Sequence, residues 1–420
     1  MTITSLGPCR FPSPRGGFVS DDDRIPEKIL QRAGVAYDPG ALFELAGPRE
    51  RLFFDPRRVR AGIVTCGGLC PGLNNVVRSL VRELIAGYGV AEVIGFRMGY
   101  GGLDPKNGHE PMVLAHASVD DIHQQGGTVL GTSRGPVEID AAVDNLIRRR
   151  IDVLFCIGGD GTQRGAFALS EACKARGHAL AVVGVPKTID NDVRYVARTF
   201  GYLTALEESR RVIDAAHNEA RSVENGVALV KLMGRHAGFI AAGATIASQD
   251  VNFTLVPEVP FGLDGGQGFL AALRRRVAER GHAVAVVAEG AGQDLFSMVP
   301  QTTDASGNVK LQDIGPFLAE AVRRDFADVQ MPLTLRYFDP GYQIRSCAAN
   351  CEDAVLCDQF ARQAVHAAMA GRTGVVVGFI HGTFVHVPTS LIVSGVKQLD
   401  PEGPIWQAVL AATQQPTRFG

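Results

Sequence analysis

The chain carries almost no net charge. Its 42 basic and 44 acidic residues leave a formal −2, and charged residues are 20% of the total. Such a balance gives no general field for nucleic acid or an anionic membrane, so any anion binding must be local. There is no apolar run of the roughly 18 residues that a spanning helix needs. The first residues lack a signal-peptide core, which makes a cytoplasmic enzyme the expectation. The eight cysteines lie largely inside apolar stretches and do not form the framework of a small disulfide-stapled domain. Nor do Cys66/Cys70 and Cys347/Cys351/Cys357 read as a zinc site, because no matching histidine pair follows them. Trp406 and the C-terminal stretch carry no usable signal. No fixed-period repeat stands out, and the 49 glycines have no collagen-like period.

Those glycines cluster instead at the ends of apolar runs, where turns and phosphate loops need backbone room. A length of 420 residues allows two domains with large cores. Residues 1–55, rich in Pro, Gly and charge, read as an N-terminal extension with a short helical candidate over 22–33. From Val59 the texture becomes α/β. Short apolar strands are predicted at 59–65, 91–96, 153–157 and 179–185, with helices at 74–88, 118–125 (capped by Ser118), 141–149 and 164–176. The second half repeats the style, with helices at 199–217, 238–248, 314–326 and 354–370. Its strands are predicted at 226–233, 253–256, 283–288 and 375–380. The stretch 290–307 has no periodicity and reads as a loop. Continuous apolar strands alternating with helices indicate parallel sheets covered on both faces. The expected fold is therefore two doubly wound, Rossmann-like α/β domains facing across an active-site cleft.

In open α/β sheets ligands sit at the C-terminal ends of strands, and several predicted junctions there carry residues suited to phosphoryl transfer. The first, Cys66-Gly67-Gly68-Leu69-Cys70-Pro71-Gly72-Leu73-Asn74, is neither a Walker A loop nor a G-x-G-x-x-G. It reads equally as a phosphate cradle at a helix N-terminus or as a tight strand–helix turn. The second is Gly158-Gly159-Asp160-Gly161-Thr162. An acidic residue at the end of a buried strand is costly without a cation or donors; among glycines that clear space for polyphosphate, Asp160 is placed to bind Mg²⁺. The third is Pro186-Lys187-Thr188-Ile189-Asp190-Asn191-Asp192. Here Asp190 can accept a proton from an acceptor hydroxyl while Lys187 and Thr188 hold the moving phosphoryl group. A fourth group comprises Met233-Gly234-Arg235, Pro257-Glu258, Arg336 and Tyr342-Gln343-Ile344-Arg345. Each arginine alone reads as a solvated surface residue; together they suit a phosphate and several hydroxyls.

At these residues the chain resembles the ATP-dependent 6-phosphofructokinase family, over roughly 59–393 and in the family's motif order. The resemblance includes Gly126-Gly127-Thr128-Val129-Leu130-Gly131-Thr132-Ser133-Arg134. NAD kinases and lipid kinases share the Gly-Gly-Asp-Gly-Thr motif but not Pro186-Lys187-Thr188-Ile189-Asp190-Asn191-Asp192 or Met233-Gly234-Arg235. The resemblance implies a nucleotide-binding domain at 56–200 with about 344–395, and a sugar-phosphate-binding domain at 201–343 with the tail to 420. It implies ATP and fructose 6-phosphate as substrates, with Mg²⁺. It also implies a homo-oligomer, dimer or tetramer, with a shared active site and allosteric control. By matching position, Asp190 is the base on the sugar 1-hydroxyl, Thr188 and Asp192 position sugar and metal, Asp160 holds Mg²⁺, and Arg235 and Arg134 stabilise the transferring group. Gly67, Gly68, Tyr100, Gly161, Thr162 and Gly165 fall on the nucleotide side. Met233, Gly234, Glu258, Arg336, Tyr342 and Arg345 fall on the fructose 6-phosphate side.

The donor turns on Gly161. Pyrophosphate-using relatives usually carry an aspartate there, whose bulk and charge oppose a nucleotide's α-phosphate; glycine leaves the space open. Lys187, which pyrophosphate-using members also have, points the other way. The pair resembles the long-chain ATP enzymes of plants and trypanosomes. ATP is the expected donor, with pyrophosphate as the alternative and a non-catalytic subunit of the same fold as a second one. Tyr342 stands where short bacterial enzymes use a histidine. Arg78 and Arg82, on one helical face, read as an exposed basic face.

Overall fold

The computed structural model describes residues 3–296, 302–303 and 309–420. The stretch 290–307 thus lies partly outside the described residues. Among those described, the strands of three or more residues are β1 (Arg24–Pro26), β2 (Leu42–Leu45), β3 (Arg60–Thr65), β4 (Glu92–Phe96), β5 (Met112–Leu114), β6 (Val153–Gly158) and β7 (Ala181–Pro186). They continue with β8 (Gly226–Leu232), β9 (Phe253–Leu255), β10 (His282–Ala288), β11 (Thr334–Phe338), β12 (Val375–Ile380) and β13 (Thr383–Pro388). The helices of ten or more residues are α1 (Leu73–Arg82), α2 (Ile139–Arg148), α3 (Asp160–Ala175), α4 (Tyr202–Arg221) and α5 (Phe239–Ser248). After them come α6 (Phe269–Arg280), α7 (Ile314–Asp328), α8 (Cys351–Met369) and α9 (Pro404–Thr413). The chain divides into two units. The first is Met1–Thr188, Val193–Gly201 and Ser346–Val396; the second is Ile189–Asp192, Tyr202–Arg345 and Lys397–Gly420.

The first unit is built on a nine-stranded sheet in the order β1-β2-β13-β12-β7-β6-β3-β4-β5. Its central strands β12, β7, β6, β3 and β4 are parallel, and the outer pairs are antiparallel. The sheet is thus mixed, where continuous apolar strands alone suggest a parallel one. Every residue of β6 and β7 is buried, as their unbroken apolar runs require when helices cover both faces. The expected helix 74–88 is α1 continued by a π-helical turn, Glu83–Tyr88.

Two local expectations fail for identifiable reasons. The 22–33 segment holds β1 rather than a helix, because Pro26 inside it lacks an N–H and its ring obstructs a helix interior. The 118–125 segment is two short turns, His116–Val119 and Ile122–Gln124. Ser118 does not cap a following helix. Its hydroxyl bonds back to Ala115, accepting from the N–H and donating to the C=O, both at 2.8 Å.

Residues up to 55 are a built part of the first unit. β2 pairs with β13, and Phe43 and Leu52 are fully buried. Glu44 on β2 accepts from Arg49 Nη2 (3.0 Å), Arg372 Nε (2.9 Å) and His386 Nδ1 (2.9 Å).

The second unit has an all-parallel four-stranded sheet, β9-β10-β8-β11. Phe269 of α6 is edge-on to Phe253 of β9 (centroids 5.6 Å apart) and to Phe419 (5.8 Å). The C-terminal stretch, silent in the sequence, therefore closes this core. Trp406 on α9 is buried, and the Gln415 amide extends the edge of the sheet, accepting from Thr254 N–H (2.6 Å) and donating to Thr254 O (3.2 Å). Among the described residues no helix is long and apolar enough to cross a membrane.

Candidate active site

In the first unit three loops leave the C-terminal ends of the neighbouring strands β3, β6 and β7. After β3 the backbone turns on Gly67, whose φ of +85° is left-handed. The 126–134 segment is strapped beside it. Gly67 N–H donates to Ser133 O (3.0 Å) and Thr132 Oγ1 donates to Gly67 O (2.7 Å). Thr65 Oγ1 donates to Gly131 O (2.7 Å). Arg134 stands exposed at the end of this strap, its guanidinium 3.5 Å from where a side chain on Gly68 would begin.

Lys187, buried after β7, donates from Nζ to Gly68 O (2.6 Å). It also sits 3.3 Å from where a Cβ on Gly67 would stand. The third loop is thereby stitched to the first, and a desolvated ammonium is fixed beside a glycine turn, where it can meet an incoming phosphate. Thr188 is held through its carbonyl, which accepts from Thr199 Oγ1 (2.7 Å).

After β6 the helix starts earlier than its periodicity suggests. α3 begins at Asp160 with Gly159 as its N-cap, so Asp160, Gly161 and Thr162 form its first turn. The N–H groups of that turn and the positive end of the helix dipole mark an anion site. Asp160 is partnered one turn on by Arg164, both side chains partly exposed. Tyr100 is only 5% exposed. Its O–H donates to Thr162 O (2.6 Å), and a Cβ on Gly165 would stand 2.6 Å from its ring. Tyr100 and Gly165 thus pack together and support the first turn of α3 through Thr162. Gly161 itself is exposed and open, with only Arg164 (3.8 Å) within reach of an added Cβ.

In the second unit Asp190 Oδ2 accepts from Arg235 N–H (3.4 Å), and Asn191 beside it is left-handed with φ +56°. Arg235 follows β8 in Met233-Gly234-Arg235 and also donates from Nη2 to Val309 O. Glu258, just beyond β9, accepts from Gly238 N–H with both oxygens (3.0 and 3.1 Å) and from Leu399 N–H (2.8 Å). Burial pushes the Glu258 carboxyl up while those backbone donors pull it down.

Glu289, which sequence reasoning passed over, follows β10. Its N–H donates to Leu232 O (2.9 Å), and Gly290 N–H donates to Gly234 O (3.0 Å), so the ends of β8 and β10 are laced together. Burial pushes the Glu289 carboxyl up, against the nearby charges of Lys231, Arg235 and Arg345. Arg345 thereby shares an electrostatic neighbourhood with Arg235, and its guanidinium stacks 4.4 Å over the ring of Tyr342, which is 76% exposed. Arg336 projects from β11, exposed, with Glu219 as its ion-pair partner at 3.9 Å.

Glycine turns, a helix N-terminus and a fixed lysine at adjacent parallel strand ends define an α/β phosphate-handling enzyme of the phosphotransferase kind. Sequence comparison makes this specific. The phosphofructokinase family model matches residues 60–368, and the chain belongs to that family. It is 46% identical over 440 residues to an ATP-dependent 6-phosphofructokinase of Amycolatopsis methanolica, covering 100% of this chain and 96% of that one. It is 46% identical over 404 residues to ATP-dependent 6-phosphofructokinase 1 of Arabidopsis thaliana, covering 95% and 84%. Among solved structures, a pyrophosphate-dependent phosphofructokinase from Marinobacter aquaeolei superposes with a TM-score of 0.69 at 20% identity, covering 85% of this chain and 91% of that one. That likeness speaks for the fold alone.

Proposed function

We propose that this chain transfers the γ-phosphoryl group of Mg·ATP to the 1-hydroxyl of D-fructose 6-phosphate, giving fructose 1,6-bisphosphate and ADP as a step of glycolysis. The carrying observation is the donor side of the first unit, where Lys187 is tied to Gly68 while Gly161 stands open in the first turn of α3. Gly67, Gly68, Thr162 and Arg134 line the same strand ends, and Tyr100 with Gly165 braces them. The acceptor side belongs to the second unit. Asp190 is the general base, taking the proton of the 1-hydroxyl as that oxygen bonds to the γ-phosphorus. The bond from that phosphorus to the β,γ-bridging oxygen breaks, and ADP leaves with the electron pair. Arg235, Lys187 and Thr188 stabilise the charge on the moving group. Asp192, Met233, Gly234, Glu258, Arg336, Tyr342 and Arg345 serve the sugar phosphate.

Mg²⁺ fits as an ion that arrives with the nucleotide. Among the described residues no group of three or more His, Cys, Asp or Glu side chains could hold a metal by itself. Asp160 offers one carboxylate beside a phosphate site, the usual provision for Mg²⁺ on polyphosphate. Its pair with Arg164 is a partly exposed i,i+4 contact of the kind worth about 0.3–0.5 kcal/mol. When bound, the ion neutralises phosphate charge. The same reading makes the protein a cytoplasmic homo-oligomer, dimer or tetramer, which sedimentation of the purified protein would check.

Steady-state assays of the purified protein with each donor test the proposal. Turnover of fructose 6-phosphate with Mg·ATP is expected. Turnover with pyrophosphate alone would overturn the donor assignment, and inactivity with both would overturn the function.

A further inference from the structure

We infer that the segment 397–399 positions the acceptor-side loops of the second unit, with Lys397 as the residue that fixes Asn191 between the carboxylates Asp190 and Asp192. The inference rests on the phosphoryl-transfer reading above. Three consecutive residues each secure a different loop. Lys397 Nζ donates to Asn191 Oδ1 (3.0 Å), and Lys397 N–H donates to Asp192 O (2.7 Å). Gln398 Nε2 donates to His236 O (3.1 Å), next to Arg235. Leu399 N–H donates to Glu258 Oε1 (2.8 Å). One short stretch, 206, 162 and 141 residues away in sequence, therefore holds the base-bearing loop, the arginine-bearing loop after β8 and the glutamate-bearing loop after β9.

Asn191 is the point at which this hold matters. It is buried and left-handed, with φ +56°, a conformation that a non-glycine residue keeps only when its surroundings fix it. A small rotation there re-aims the carboxylates on either side. Lys397 grips Asn191 by side chain and Asp192 by main chain, so both bonds resist that rotation. The ammonium also lies over the Phe239 ring at 5.2 Å, a favourable seat for a cation. Burial pushes its pKa down to about 8, with Asp192 pulling it back up. A charged side chain brought into such surroundings is costly to keep, and the geometry it fixes is that of the two carboxylates.

The test compares Lys397→Met, which keeps packing on Phe239 but cannot donate, with Lys397→Gln and Lys397→Arg, which can. Lys397→Met is expected to lower kcat about 10- to 100-fold, the usual scale for misaligning a reacting group. Its KM for ATP, whose proposed residues lie in the first unit, should stay within about twofold. Lys397→Arg should recover most of the lost kcat and Lys397→Gln a part of it, with Tm recorded for each variant. A purely structural lysine would move Tm and leave kcat per folded molecule unchanged. A folded Lys397→Met with kcat within about twofold of wild type therefore overturns the inference. Should that variant not fold, Lys397→Gln decides: reduced kcat at retained Tm supports the inference, and wild-type kcat overturns it. An inactive wild type would sink the phosphofructokinase reading and this inference with it. An active wild type beside an unaffected variant would sink the inference alone.

Discussion

At Gly161 the missing side chain is proposed to set donor choice, and the open space around it makes that proposal separable from stability. An added Cβ meets only Arg164 at 3.8 Å, and an aspartate in the first turn of a helix is favoured by the dipole. Gly161→Asp should therefore leave Tm unchanged. It should still lower kcat/KM for ATP by about 10²-fold or more, because it sets a carboxylate against a phosphate, a like-charge contact worth several kcal/mol. Wild-type kcat/KM for ATP in that variant would refute the role given to Gly161. Gly165 behaves oppositely, since its Cβ would stand 2.6 Å from the Tyr100 ring. Gly165→Ala should cost about 1–3 kcal/mol of stability by overpacking, read as a shifted urea midpoint. For Asp190→Ala the loss falls on chemistry: kcat should drop by about 10²-fold or more, and near-normal turnover would exclude Asp190 as the base.

On the scale of elements, α8 carries an acid-sensitive joint. His366 Nδ1 is 2.8 Å from Tyr88 Oη, and burial, aided by the charges of Arg15 and Arg362, pushes its pKa down to about 3. An unfolded histidine titrates near ~6.5. Between those values the unfolded chain binds more protons, so stability rises with pH there. The contribution is fully present above the unfolded value and is lost as pH falls toward the folded one, at up to about 1.4 kcal/mol per pH unit. Tm should fall from pH 7 to pH 4, and His366→Gln should flatten that slope; parallel curves for the two proteins would show that another group is responsible. Elements differ in how plainly the sequence announces them, and the reason is burial. β3, β6 and β7 are covered on both faces and read as unbroken apolar runs. β11 is at best half-buried, and α9 buries only Trp406 and Val409, so neither leaves a pattern. The proposed site residues follow a similar rule. Gly158 to Thr162 and Lys187 to Asp192 are legible because their chemistry is contiguous, whereas Glu289 and Lys397 join Arg235 and Asn191 only through folding.

For the molecule as a whole, the least expected result is that the N-terminal residues are structural. Proline, glycine and charge make 1–55 look like an arm, yet β2 brings Phe43 and Glu44 into the nine-stranded sheet of the first unit. The side chains of Glu44, Arg49 and Arg372 are all less than 10% exposed, and His386 closes the same cluster at 2.9 Å. Removing one member of such a set leaves buried charge uncompensated, which typically costs about 3–5 kcal/mol. Glu44→Ala would leave Arg49 and Arg372 sharing only the exposed carboxylate of Asp21, 2.6 Å from each, and should show part of that loss in urea unfolding. The double change of Glu44 and Arg372 to apolar residues of similar volume should recover part of it, because desolvation of the pair is then avoided. Deleting residues 1–55 should do more. β13 would become an exposed sheet edge and the partners of Phe43 and Leu52 would face water, so the shortened chain should aggregate where the full chain does not. A shortened chain that folds with an unchanged Tm and normal turnover would restore the picture of a dispensable arm.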